Sequence, residues 1–166
     1  MGPIDLLVAG FDSYHRAEQV MDDLNAMDKE DIISILNAVV IKKDAQGNVS
    51  VSEDADVRPG SGALFGAMVG ALIGFLGGPG GAVVGAAAGA ITGGITAAGI
   101  DMGFDNAALE EIKDALSPNH SAILALVERD WTEQFVGEIN GRSGRIIRTA
   151  LRDDYINRMR KETNKD

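Results

Sequence analysis

The chain has 166 residues, a formal net charge of −10, two histidines and no cysteine. That length suits one core, or one core carrying an insertion. Without cysteine, disulfides, thiolate metal sites and a cysteine nucleophile are excluded. The acidic balance argues against nucleic acid as a partner, because neutralising phosphates requires clustered Lys and Arg. Only His15 and His120 remain as soft ligands, so a zinc site would need several carboxylates to complete it, and no metal or cofactor is assigned. Met1 to Asp5 has neither the basic start nor the apolar core of a secretory signal, which points to an intracellular setting.

Ile4 to Phe11 is short, apolar and partly β-branched, as a buried strand would be. Asp12 and Ser13 offer N-caps for a helix on which Ala17, Val20, Met21, Leu24 and Met27 share one face. Ile32 to Ile41 favours a strand, and Asp44-Ala45-Gln46-Gly47-Asn48 turns it into Val49 to Ser52 as a β-hairpin. Glu53 to Pro59 reads as an acidic linker. Beyond Ile100, Asp105 or Asn106 caps a helix with Leu109, Ile112, Ala115 and Leu116 inward, stopped at Ser117-Pro118-Asn119. Ala122 to Val127 is a further strand, and Asp130 starts a short helix bearing Trp131, Phe135, Val136 and Ile139. Gly141-Arg142-Ser143-Gly144 leads into a last strand, Arg145 to Leu151. Leu151, Tyr155, Ile156 and Met159 then recur at helical spacing in a charged tail.

The predicted fold is α+β, a ferredoxin-like β-α-β-β-α-β-α-β sandwich interrupted by a glycine-rich antiparallel helical hairpin. Residues 1–58 form the first half of the α+β domain, 59–100 the hairpin, 101–151 the second half, and 152–166 a charged C-terminal helix or tail.

From Pro59 to Ile100 there is no charged residue, and fourteen of the 21 glycines lie in that stretch. Gly62, Gly66, Gly70 and Gly74 form one row at a period of four; Gly81, Gly85, Gly89 and Gly93 form another. Four residues is close to a helical turn, so each row makes a smooth groove for close helix packing. Gly77-Gly78-Pro79-Gly80-Gly81 reverses the chain between them. The outer face of the first helix is bulky: Leu64, Phe65, Met68, Val69, Leu72, Ile73, Phe75 and Leu76.

Such a hairpin suits a bilayer or an interface between subunits. Gly62 to Leu76 would cover roughly 22 Å as a helix, against a hydrocarbon core of about 30 Å. Both halves of the α+β domain can fold on one side of a membrane if the hairpin returns there. The preferred expectation is a membrane-associated homo-oligomer with its α+β domain cytoplasmic and membrane lipid as a partner. The alternative is a soluble homo-oligomeric shell, cage or filament, cytoplasmic as a large assembly, with hairpins buried between subunits. Residues 142–166 carry eight basic and four acidic residues, an end suited to anionic lipid or to a neighbouring subunit's acidic face.

Val8-Ala9-Gly10-Phe11-Asp12, Gly62-Ala63-Leu64-Phe65-Gly66, Ser121 to Glu128 and Arg145 to Leu151, in that order, resemble a bacterial family. It is the "membrane protein of unknown function" family numbered twelve sixty-nine among domains of unknown function. The resemblance runs from about Ile4 to Asp153. It implies a prokaryotic, membrane-associated protein with no established activity and no catalytic residues to carry over.

Gly60-Ser61-Gly62-Ala63-Leu64-Phe65-Gly66 mimics a dinucleotide fingerprint, but a polar segment precedes it and no acid follows before Asp101. The acids Asp22, Asp23, Asp28, Glu30 and Asp31 lack the spacing of a calcium loop and read as a solvated face. His120, beside Ser117 and Ser121, has no nucleophile elbow to serve. Thr92 and Thr96 suit back-bonding within a helix better than a pore lining. No catalytic residue, metal ligand or small-molecule substrate is identified, and an enzyme built on the sheet has no residue set to support it. A non-enzymatic, self-associating protein is expected.

Overall fold

A computed structural model describes residues 2–52, 63–77 and 106–163. Five strands form one antiparallel sheet: β1 (Ile4–Phe11), β2 (Ile35–Lys43), β3 (Val49–Val51), β4 (Ser121–Glu128) and β5 (Arg145–Ala150). Five helices are described: α1 (Arg16–Lys29), α2 (Ala63–Gly77), α3 (Asn106–Ala115), α4 (Arg129–Gly141) and α5 (Asp153–Thr163). Across the sheet the strands run β3-β2-β4-β1-β5, so the two halves of the chain interleave. The α+β class read from the sequence holds.

Alternation along the strands divides the core in two. Ile4, Leu6 and Val8 of β1 face one layer with Leu124 and Leu126 of β4, and there meet residues of α2, α3 and α5. Leu7, Ala9 and Phe11 face the other with Ile123, Ala125 and Val127, and meet α1 and α4. The sheet is thus covered on both sides, which is why β1 and β4 read as continuous apolar runs. A bulge between Ile35 and Asn37 changes the parity of β2. Ile35 lies in the α1/α4 layer, whereas Val39 and Ile41 lie in the other.

Helix α1 begins later than its sequence suggests. Its N-cap position is His15, which makes no side-chain cap, and the side chain of Asp12 is fully exposed. Ser121 Oγ takes over from a distant strand, accepting Ala17 N–H at 3.0 Å and donating to Ser13 O at 2.5 Å. The Asp44 turn forms as expected: its Oδ1 accepts the amides of Gln46 and Asn48. Strand β2 starts at Ile35 rather than Ile32, because Ile32 is 49% exposed beyond the positive-φ residue Asp31. In α4, Thr132 is buried where an apolar position was expected at Trp131, which is only half-buried. The tail helix packs as anticipated, with Leu151, Tyr155, Ile156 and Met159 all buried.

Candidate functional site

The uncharged segment enters the described structure through α2, fifteen residues long and therefore about 22 Å. No described helix is long and apolar enough to cross a membrane. Phe65, Met68, Val69, Leu72, Ile73 and Leu76 are buried in the core cluster that also holds Val39 and Ile41 of β2 and Val49 of β3. Leu64 and Phe75 are partly buried against the same cluster. The row assigned to an outer face therefore lies on the sheet. Its side chains recur at three and four residues, and the apolar face of the sheet gives that stripe something to cover. Each large side chain fully buried this way contributes about 1.5–3 kcal/mol. The edge of the stripe is capped by charge: Lys113 Nζ of α3 stands 6.0 Å from the Phe75 ring centroid.

The described part of the first glycine row differs in exposure along its length. Gly66 is exposed, Gly70 buried and Gly74 half-buried. A Cβ built on Gly66 would meet nothing within 4 Å. Gly62 and the second row, Gly81, Gly85, Gly89 and Gly93, lie outside the described residues, as do Thr92, Thr96 and the Gly60–Gly62 part of the dinucleotide mimic.

Two polar clusters absent from the sequence reading lie on the α1/α4 side. Asp5, 1% exposed on β1, accepts from Arg129 Nε and Nη2 and Thr132 Oγ1 of α4, and from Arg148 Nη2 of β5. Burial pushes its carboxyl up, but Arg129, Thr132 and Arg148 outweigh that and hold it below the ordinary value. Glu18 of α1 accepts from Lys42 Nζ at 2.7 Å and Ser52 Oγ at 2.5 Å, and pairs with His15 Nδ1 at 3.0 Å. Here too burial raises the carboxyl while Lys42, Ser52 and His15 lower it, down to about 2. Lys42 Nζ also sits 4.7 Å from the Tyr14 ring centroid. Glu18 and Asp5 each tie a helix to strands. Both carboxylates are charge-matched at their hydrogen-bonding atoms, an arrangement that fixes geometry and gives neither the raised pKa of a general acid.

A family model described as "Protein of unknown function (DUF1269)" matches residues 59–164, more than half of the chain. The chain belongs to the DUF1269 family. No curated protein and no solved structure matches it. The DUF1269 match takes in the uncharged stretch, α2 and everything from α3 to α5, and begins after the β1-α1-β2-β3 half that the sequence resemblance included. The other residues singled out in this DUF1269 chain have ordinary surroundings. His120 Nδ1 lies 3.2 Å from Ala115 O, in a turn where Asn119 has a φ of 65°. His15 is largely exposed beside Glu18. Asp23 pairs with Arg142 at 3.3 Å, joining α1 to the end of α4, and Asp28 Oδ1 accepts Ile35 N–H at 2.9 Å. No group of three or more His, Asp or Glu able to hold a metal occurs among the described residues.

Proposed function

We propose that this DUF1269 chain is a non-enzymatic, self-associating protein whose uncharged 59–100 stretch is its contact element. In this reading the stretch forms a glycine-zipper hairpin, inserted between the halves of a ferredoxin-like core made by β1-α1-β2 and β4-α4-β5. One observation carries it: α2 covers the sheet with its bulky side, so Gly66 on its exposed side is what it offers a partner. Small residues permit close backbone approach there, with dispersion contacts and weak Cα–H···O bonds. The assembly is a homo-oligomer that hides the apolar stretch between subunits.

The experiment is detergent-free size exclusion with light scattering on the full chain and on Gly66→Leu. A Cβ on exposed Gly66 meets nothing within 4 Å, so a side chain added there projects outward and blocks close approach from outside. A large wild-type species that shrinks in the variant is the expected result. An unchanged mass would remove α2 from the interface.

Membrane association is the second reading, favoured by the absence of any charge from Pro59 to Ile100. It requires contact through residues beyond α2, because drawing α2 into lipid would strip its bulky side from the sheet. Retention in an alkaline carbonate-washed membrane pellet would support it, and release into the supernatant would oppose it.

A further inference from the structure

Strand β5 is an end strand of the sheet, bonded to β1 on one side. Leu151 N–H donates to Ile4 O, which extends that ladder one residue past the strand. Hydrogen-bonded pairs alternate along an antiparallel ladder. The backbone groups of residues 145, 147, 149 and 151 therefore turn to β1, and those of Ile146, Arg148 and Ala150 turn outward. Among the described residues these outward groups have no backbone partner.

Exposed edges are normally guarded by proline, a bulge or outward charge. β5 has no proline and pairs with β1 without a register shift. The charge at its centre is withdrawn: Arg148 is folded onto the sheet face, bonded to Asp5 and to Glu133. Arg145, at the start of the strand, is exposed and makes no ion pair with any described residue.

We propose that β5 pairs antiparallel with β5 of a second copy of this chain, about a twofold axis through Thr149. Three registers place outward groups opposite one another near the strand centre, and charge selects among them. Centring on Arg148 sets that arginine against itself, an unfavourable like-charge pair. Centring on Ile147 sets Arg145 against Thr149. Centring on Thr149 sets Ile147 against Leu151, both already buried in the same apolar layer, and brings Arg145 to the end of the partner strand where α5 starts with Asp153. Asp153 is exposed in the first turn of α5, while its neighbour Asp154 is already held by Arg152. The pairing is isologous and joins the two sheets into one. It uses a surface separate from the exposed side of α2.

The native chain has no cysteine, so single cysteines report the register. At a non-hydrogen-bonded antiparallel pair the Cα atoms lie about 4.5 Å apart, inside the roughly 4.4–6.8 Å a disulfide spans. Mild oxidation of full-length Thr149→Cys should therefore convert it mainly to a disulfide-linked dimer on a non-reducing gel. Arg145→Cys should not link to itself. Arg145→Asp should reduce the Thr149→Cys link several-fold, and adding Asp153→Arg should restore it. Ala150→Pro removes only an outward N–H, which an edge strand tolerates, and should abolish the link with the far-UV circular dichroism unchanged. If Ala150→Pro unfolds the chain, the contrast between the two single cysteines still decides. A folded Thr149→Cys that stays monomeric on the gel, or an Arg145→Cys that links equally well, overturns the proposal. The link should persist in Gly66→Leu, so failure of the α2 contact and failure of the β5 contact are read separately.

Discussion

Arg148 Nη2 donates to Asp5 Oδ2 at 2.6 Å across the β1–β5 pair, although the two residues are 143 positions apart in the chain. Arg129 and Thr132 complete the set from the start of α4. The last strand, the first strand and the crossover helix between β4 and β5 are thereby clamped at one carboxylate.

Removing that carboxylate takes the acceptor from Arg129 and Thr132 and leaves Arg148 with Glu133 alone. Asp5→Ala should destabilise the chain by about 2–4 kcal/mol, toward the low end of what breaking a buried pair costs, since both arginines are close to half exposed and water can recover part of the loss. Urea unfolding with a fitted midpoint and slope measures this. A change below about 0.5 kcal/mol, the range of an ordinary surface substitution, would remove the clamp from the stability of the fold.

Glu18 gives the pH dependence a sign. Its folded pKa, about 2, lies below its ordinary value of 4.5, so the unfolded chain binds more protons as acid is added. Stability from this group is fully present above about pH 4.5 and is lost as the pH falls toward 2. Asp5 is shifted in the same direction. Thermal melts of Glu18→Gln between pH 6 and pH 2 should fall less steeply than those of the native chain. Equal slopes would show that the Lys42–Glu18 pair is not felt.

Ser121→Ala should cost about 1–2 kcal/mol, because it removes an external cap and leaves Ala17 N–H without its acceptor. Asp12→Ala, at the position the sequence favours for a cap, should be nearly neutral. Guanidinium midpoints for the two variants test the assignment, and a larger loss at Asp12 would reverse it.

Gly144 and Gly66 should respond to alanine with opposite sign. A Cβ on Gly144 would stand 2.4 Å from Ile139 Cγ2 and 2.8 Å from Phe11 Cε1, so Gly144→Ala should cost roughly 1–3 kcal/mol through overpacking. Gly66 is an exposed glycine inside a helix, and alanine there should stabilise the isolated subunit by about 0.5–1 kcal/mol. Denaturation below the concentration of assembly checks both.

Periodicity made most of the layers legible. Val20, Met21 and Leu24, or Leu109 and Ile112, declare a helix face by spacing alone, and the Asp44 turn is local chemistry. What periodicity could not carry is any contact whose partner lies far along the chain. Thr132 reaches Asp5 across 127 positions, and Ser121 reaches Ala17 across 104. An aspartate opening an apolar strand was nevertheless a signal, since a charge at a buried position demands a partner. The bulky side of α2 is legible as one face, but spacing does not name what it packs against, here the sheet. Hydropathy shows that such a side avoids water, and a sheet with one uncovered face satisfies that as well as lipid does.

The bulge at Leu36 sets the two ends of β2 out of step. On either side of it, the same odd-numbered positions serve opposite layers, Ile35 facing α1 and α4 while Val39 and Ile41 face the side that α2 covers. The bulge thus takes up a single surplus residue while Ile35 and Asn37 keep successive partners, Val127 and Leu126. Deleting Leu36 would set Ile35 directly before Asn37, still opposite Val127 and still in the α1/α4 layer, and would lose only the contact Leu36 makes with the other layer. The ladder here can lose a residue without a slip of register.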